Sequence, residues 1–512
     1  MADMSHFVDN NRFEVTMNNK KSTNVVFILT DDQGAWAMGS AGNADIHTPN
    51  LDKLAKQGMR FDNFFCASPV CSPARATLLT GNIPSKHGVI DWLKRKGRND
   101  LEFLEGQRFY TDYLAENGYA CSTSGKWHVG NAYKPHKSFE TCLLFGSDYN
   151  YNDCTLVRDG VEVPTKGYVS DVITDDAIAF IEKKVAEERP FYAAVHYTAP
   201  HAPWIGCHPK EIEALYEGSD FPSCPDMAPH PRLVHWGGEK DSDSRIENIK
   251  GYYAAVTAMD RAVGRLLDRL NALGIRENTL VIFTSDNGFN CGHHGIWGKG
   301  NGTFPQNMYD TSVKVPAIFS QPGRIPQDTV CSELVSQYDI FPTLLDYLSI
   351  EEADGDQRPG RSFTPLLHGE SAKDFERVVV YDEYGSVRMI RTKELKYVHC
   401  YPFGPHELYH MISDPDETKN LVEEESMQAS LHKLRAEMEK WFLRYADPEK
   451  DARQYAVSGT GQQDFVGAAS EGREPFFHKS TILGPTQDAA KGWSAEYLKE
   501  LAARKALKES KK

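Results

Sequence analysis

Two apolar runs constrain the fold more than anything else in this sequence: Asn24–Thr30, NVVFILT, and Thr279–Ser285, TLVIFTS. Both are continuous rather than alternating, the pattern of strands buried on both faces of a parallel sheet whose crossover helices cover it on either side. Each run is followed at once by oxygen-bearing side chains, Asp31 and Asp32 after the first and Asp286 and Asn287 after the second. Ligands of open α/β sheets bind beyond the carboxyl ends of the strands. Adjacent carboxylates repel one another, so a cation is a fitting companion, although either pair alone reads equally well as a turn or helix cap.

The rest of the chain alternates strand and helix. Thr48-Pro49 opens a helix, LDKLAKQ, that Gly58 closes; Phe61 to Phe65 reads as a strand; Thr111 to Asn117 and Val169 to Glu188 read as helices that precede the strands Tyr119 to Ser124 and Phe191 to Thr198. A helix from Ile246 to Leu273, a strand from Val313 to Ser320 and a helix from Val335 to Leu348 continue the alternation. From Val378 the pattern changes to short strands, VVVYDEY, VRMIRT and LKYVHCY, then a turn-rich DPDETKN and a helix from Met427 to Tyr445. The fold class is therefore α/β: a large mixed, mostly parallel sheet sandwiched by helices, with a smaller C-terminal antiparallel sheet plus helix. A chain of 512 residues suits one large and one small unit.

Between the two apolar runs lies Cys66 to Gly81, CASPVCSPARATLLTG. Cys71 stands just before a helix that Pro73 initiates, at the positive end of the helix dipole, where developing negative charge is favoured. Arg75 lies about one turn further on and can face the same pocket. Cysteine is commonly core filler, so the neighbouring motifs matter. Gly125-Lys126-Trp127-His128 follows a strand; if it stays extended, Lys126 and His128 point the same way. Ala199-Pro200-His201-Ala202-Pro203 displays His201 from a loop stiffened by its prolines, whereas His196 reads as structural. Gly292 to Gly302, GHHGIWGKGNG, carries Lys299 on a glycine-rich loop; His293 and His294 are available for contact with substrate, with His294 read as a brace.

Taken in order, D-D, C-S-P-A-R followed by Leu78, Leu79, Thr80 and Gly81, G-K-W-H, P-H-x-P, S-D-N-G and G-x-W-G-K resemble the motifs of type I sulfatases of the alkaline phosphatase superfamily, across most of residues 24 to 420. The resemblance implies an alkaline-phosphatase-like catalytic domain over residues 24–375, an N-terminal extension over 1–23, a small C-terminal subdomain over 376–445 and a tail over 446–512. It implies that Cys71 is oxidised to formylglycine by a maturation enzyme. Metal ligands would be Asp31, Asp32, Asp286, Asn287 and the modified Cys71. Such oxygen donors suit a hard divalent cation, Ca²⁺ first and Mg²⁺ second, rather than zinc.

In the implied mechanism one hydroxyl of the aldehyde hydrate attacks sulfur, and the alcohol leaves with a proton from His201 or Lys299. His128 then helps deprotonate the second hydroxyl, and the hemiacetal collapses and expels sulfate. Arg75, Lys126 and Lys299 would hold the charge of the transferring group. The nearest rival is a phosphonate monoester or phosphodiester hydrolase of the same superfamily. Non-enzymatic rivals are a sulfated-glycan-binding relic with unmodified Cys71, or a thiol redox protein using Cys66 and Cys71.

The alcohol half of the substrate is less legible. Trp92 beside Lys94, Arg95, Lys96 and Arg98, together with Trp204, suggests a sulfated sugar, with an aryl sulfate or choline sulfate as alternatives; the basic run reads equally as a solvated loop. Residues 205–245 read as a long surface excursion near the site mouth. The net charge of −15, with 57 basic against 72 acidic residues, argues against nucleic acid and anionic membrane as partners. The N-terminus has no apolar h-region, so a cytoplasmic location is expected, or a periplasmic or secreted one if a signal peptide has been removed. Ten cysteines scattered without CxxC pairs read as reduced thiols. The tail, ending in AEYLKELAARKALKESKK, reads as a surface appendage or as an arm that wraps a second copy and helps shape its pocket.

Overall fold

The computed structural model describes residues 22–94, 101–146, 150–234, 242–352, 357–372 and 380–476. Arg95, Lys96, Arg98 and the basic C-terminal stretch lie outside them. Ten strands form the main sheet, in the spatial order Thr329–Cys331, Met59–Phe61, Ala317–Ser320, Thr279–Ser285, Asn24–Thr30, Phe191–His196, Ala120–Gly125, Thr141–Phe145, Thr155–Arg158 and Val161–Pro164. The five from Thr279–Ser285 to Thr141–Phe145 run parallel. Antiparallel pairings flank them on both sides.

The first apolar run shows why the sheet needs two helical layers. Val25, Phe27 and Leu29 join the core that holds Leu78, Leu79, Tyr110 and Phe341; Val26 and Ile28 join the opposite core with Ile173, Phe180, Tyr252 and Met259. Each of these five strand side chains is at most 1% exposed, worth about 1.5–3 kcal/mol apiece in transfer free energy. The helices Val169–Ala186 and Ser242–Ala272 cover one face, while Cys71–Thr80, Tyr110–Glu116 and Ile340–Tyr347 cover the other.

Three expected elements divide. Phe61 to Phe65 is two strands, Met59–Phe61 in the main sheet and Phe64–Phe65, which pairs with Val335–Ser336. Val313 to Ser320 is a short helix, Asp310–Val313, and a strand, Ala317–Ser320, separated by Pro316, whose missing N–H cannot join a ladder. Val335 to Leu348 begins extended, and the helix Ile340–Tyr347 follows a single tight turn in which Ser336 N–H donates to Asp339 Oδ2 at 2.9 Å.

The small sheet is antiparallel, in the order Val380–Tyr384, Val387–Arg391, Leu395–Cys400, Glu407–His410. One face contributes Tyr384, Val387 and Met389 to the main core, and the other packs Ile390, Tyr397 and Leu408 against the helix Gln428–Tyr445. Beyond that helix residues 446–476 return across the body, and Leu93 forms a parallel bridge with Gln462. Among the described residues no helix is long and apolar enough to cross a membrane.

Candidate active site

Where the strand Asn24–Thr30 ends, the chain turns at once. Asp32 adopts φ 63°, a left-handed conformation that aspartate tolerates better than bulkier residues. Its N–H donates to Asp286 Oδ1 at 3.2 Å, and Asp31 N–H donates to the Ala199 carbonyl at 3.2 Å. Because Thr30 stands in register with Ser285 on the neighbouring parallel strand, both strands deliver their acids to one place. Asp31, Asp32 and Asp286 each offer an oxygen within 4.8 Å of the others. Asn287 Nδ2 donates to Asp32 Oδ1 at 2.8 Å, and its own Oδ1 is buried without a hydrogen-bond partner.

Cys71 is the first residue of the helix Cys71–Thr80, capped by extended Val70. The helix thus starts before Pro73, which is tolerated in the first turn because N–H groups there have no intrahelical acceptor. Cys71 Sγ lies 3.4 Å from Asp31 Oδ1 and 3.9 Å from Asp32 Oδ1, and Lys299 Nζ donates to it at 2.8 Å. One turn on, Arg75 donates from Nε to Asp286 Oδ2 at 2.8 Å and from Nη1 to the Lys126 carbonyl at 2.9 Å. The ammonium groups of Lys126 and Lys299 pair with Asp31 and Asp32.

The expectation that Lys126 and His128 share a strand face is not met. The strand Ala120–Gly125 stops at Gly125, with φ 111°, and His128 itself has φ 57°. A Cβ at Gly125 would fall 1.9 Å from the His196 carbonyl oxygen, so the turn there requires glycine. Lys126 is consequently buried against Asp31, while His128 lines the cavity wall and donates from Nε2 to the Leu93 carbonyl at 3.0 Å. His201 faces the same cavity. Its Nδ1 donates to the Ala202 carbonyl at 2.7 Å, and its Nε2 lies 3.8 Å from Asp32 Oδ2.

Burial tends to raise the Asp31 carboxyl, but Lys126, His201, Arg75 and Lys299 together hold it well below the usual carboxylate range. Asp286 is displaced the other way, upward, by burial and by the charge of Asp31. Burial, reinforced by Asp31, pushes the Cys71 thiol up to about 12 against the pull of Lys126 and Lys299. The helix dipole is therefore outweighed, and the site stabilises a protonated thiol rather than a thiolate. Cys66 is likewise pushed up, by burial and by Asp382. Both observations oppose a thiol redox role.

The cavity has a volume of about 560 Å³, within the roughly 300–1,000 Å³ usual for small-molecule sites. Asp32, Cys71, His128, His201 and Lys299 lie on its polar side; Trp92, Trp204, Phe289 and Trp297 supply aromatic wall. Phe289, Trp297 and Asn301 were not singled out as site residues from sequence, though all three sit within or beside the S-D-N-G and G-x-W-G-K motifs. Neither His293 nor His294 reaches the cavity: the former packs on Trp36 with ring centroids 4.9 Å apart, the latter stacks on Tyr309 at 3.9 Å. His196 is buried, in contact with the Lys126 carbonyl, and burial lowers it to about 3, as a structural histidine requires.

A family model described as Sulfatase matches residues 23–350, and one described as N-sulphoglucosamine sulphohydrolase, C-terminal, matches 292–443. The chain belongs to the sulfatase family. It is an enzyme that hydrolyses sulfate esters, and the family generally carries a metal-binding site and a modified cysteine; Asp31, Asp32 and Asp286 form an acidic cluster able to hold a metal ion. This sulfatase is 30% identical over 450 residues to an ulvan-active sulfatase of Formosa agariphila, covering 84% of this chain and 83% of that one. It is similar to a solved structure of a protein in complex with its substrate D-glucosamine-2-N,6-O-disulfate, with TM-score 0.72, 25% identity, and 84% and 99% of the two chains covered. The phosphonate monoester hydrolase of Agrobacterium radiobacter shares the fold, at TM-score 0.66 and 20% identity over 83% of this chain and 96% of that one.

Proposed function

We propose that this sulfatase removes sulfate from a sulfated saccharide, using Cys71 as formylglycine and a Ca²⁺ ion held by Asp31, Asp32, Asp286, Asn287 and residue 71. The observation that carries the reading is the convergence of three buried carboxylates, the Cys71 side chain and three fixed cations at one end of an aromatic cavity. Carboxylate and amide oxygens fit a hard cation, and the partnerless Asn287 Oδ1 is a ready further ligand. A bound cation supplies Lewis acidity that favours an ionised hydroxyl and offsets charge on the sulfate. The hydrated aldehyde supplies two hydroxyls on one carbon, one for attack on sulfur and the other for release of sulfate, which neither serine nor cysteine offers.

The remaining steps belong to the chain's own side chains. Lys299, in contact with residue 71, and Lys126, paired with Asp31, are assigned to the sulfate oxygens; Arg75 holds Asp286 in place and faces Asp31. His201 is assigned the proton for the leaving alcohol. Its Nδ1–H is committed to the Ala202 carbonyl, so Nε2, on the cavity side, is the atom that exchanges the proton. Burial works against the charge of Lys299, but the carboxylates of Asp32 and Asp31 push it well up, so it keeps its proton and serves as a fixed charge. His128, also on the cavity wall, is assigned to assist the second hydroxyl.

Trp92, Trp204 and Trp297 offer flat apolar surface of the kind on which sugar rings stack, and the Formosa and disulfated-glucosamine relatives support a saccharide. The test is a panel of defined sulfated mono- and disaccharides with an aryl sulfate, choline sulfate and a matched aryl phosphonate, scored by inorganic sulfate or alcohol released. Preferential turnover of sulfated sugars is expected. Exclusive turnover of choline or aryl sulfate would overturn the saccharide assignment, and preference for the phosphonate would overturn the sulfate assignment.

A further inference from the structure

Both family models end before the segment 457–464, yet this segment is tied into the cavity wall. Gln462 is fully buried and spends its whole amide there: Oε1 accepts from Ile90 N–H at 2.8 Å and Asp91 N–H at 3.3 Å, while Nε2 donates to the Gly88 carbonyl at 2.9 Å and the Asp464 carbonyl at 3.0 Å. Its backbone donates to the Trp92 carbonyl at 2.8 Å and accepts from Lys94 N–H at 2.9 Å. The residue between them, Leu93, receives the His128 hydrogen bond on its carbonyl, and its N–H donates to Ser72 Oγ, next to Cys71, at 2.9 Å.

Two glycines of the segment complete the wall. The Gly459 carbonyl accepts from Trp92 Nε1 at 3.0 Å and from Asn301 Nδ2 at 3.2 Å; Gly461 N–H donates to Asp91 Oδ2 at 2.9 Å. Both have positive φ, and a Cβ would fall 2.7 Å from Asn301 Cβ at the first and 3.1 Å from the Trp92 ring at the second. The backbone must pass this close for the contacts to form.

We infer that the segment 457–464 is part of the active centre, with Gln462 a positioning residue that acts through Leu93 to fix His128 and through Trp92 to fix the aromatic wall. This rests on the sulfatase reading above for its kinetic consequence. A carbonyl oxygen only accepts, so the Leu93 contact places a proton on His128 Nε2 and orients the ring. A hydrogen bond of that kind positions only as well as the backbone that carries it, and Gln462 pins that backbone on both sides of Leu93.

The test is a double-mutant cycle with Gln462→Ala and His128→Ala, with Gln462→Asn as a milder second variant, all assayed on an aryl sulfate well below their melting temperatures. Gln462→Ala is expected to raise KM through the aromatic wall and to lower kcat ten- to hundredfold through His128, a loss of the size that a misplaced group can cause, so kcat should fall less than about twofold further when His128 is already alanine. Equal losses in the two backgrounds, or wild-type kcat in folded Gln462→Ala, would overturn the inference. If Gln462→Ala does not fold, Gln462→Asn must show the same dependence on His128, and its absence overturns the inference too. Hydrogen exchange at Ile90, Asp91, Leu93 and Lys94 gives a readout that needs no substrate. Faster exchange at these amides in Gln462→Asn is expected, and unchanged protection there would contradict the inference even if the wild-type protein released no sulfate from any ester. Failure of the wild type alone would instead count against the sulfatase chemistry.

Discussion

The protein buries ionised side chains in several places, two of which differ instructively. At the ends of Asn24–Thr30 and Thr279–Ser285, Asp31, Asp32 and Asp286 meet Arg75, Lys126 and Lys299. Under the small sheet, Lys396 meets Asp310 at 2.8 Å and Glu417 at 2.6 Å, and Glu417 also accepts from Asp310 N–H at 2.6 Å. The residue types are the same, and Lys396 is 0% exposed, so burial alone does not tell the clusters apart. The difference lies in what each cluster faces. Lys396 is enclosed by its two carboxylates and lines no described cavity, whereas the first cluster faces a cavity and crowds three acids together. A closed cluster holds two parts of a fold in register; an open one is prepared for a ligand.

The largest effect should come from the open cluster. Cys71→Ala is expected to bring turnover to background while leaving the thermal melting curve intact, and substantial sulfate release by the purified variant would break the comparison. Next, treatment with a chelator should lower kcat by about 10²- to 10³-fold, the kinetic equivalent of several kcal/mol, with Ca²⁺ restoring it; full activity in a preparation shown to be metal-free would remove the cation from the account. In the closed cluster, Lys396→Ala leaves Glu417 uncompensated and Asp310 with only the more distant Arg391, 3.9 Å away, and should cost about 3–5 kcal/mol of stability. Activity per folded molecule should stay near wild type at low temperature, and a stable variant with lost activity would mean that this cluster, too, serves the chemistry.

The smallest expected effect concerns pH. His87 is buried, burial lowers it to about 3, and its Nδ1 accepts from Val89 N–H at 3.1 Å. The folded state therefore holds this ring neutral, while the unfolded chain protonates it near 6.5. A group lowered on folding stabilises above the unfolded value, and that contribution is lost as pH falls toward the folded one; at pH 5.5 the loss is about 1.4 kcal/mol. His399, lowered to about 3 by burial and by His406, adds a similar loss. Denaturant midpoints at pH 5.5 and 7.5 check this, and His87→Gln should flatten the dependence. An unchanged slope in that variant would contradict the assignment.

Much of the open cluster is legible in the sequence because parallel strands deliver whatever follows them to one edge of the sheet. NVVFILT and TLVIFTS fix that edge, and Asp31, Asp32, Asp286 and Asn287 follow directly. Lys126 and His128 show where such reading fails: they lie two residues apart after a strand, but the turn at Gly125 depends on how closely His196 passes, a contact between distant segments. The division of Val313 to Ser320 was readable from Pro316. The placement of 457–464 was not, since S-G-T-G-Q-Q reads as any turn and only the folded chain shows Gln462 against Ile90 and Asp91. The closed cluster is hidden for the same reason, because Lys396, Asp310 and Glu417 come from distant positions and lie in no common motif.

The most direct test of the central claim is the mass of the peptide containing residue 71, taken from a fully active preparation. The account predicts that the cysteine mass is replaced by that of the aldehyde or its hydrate, and that a hydrazide labels this residue. A fully active preparation carrying only unmodified thiol at position 71 would contradict it.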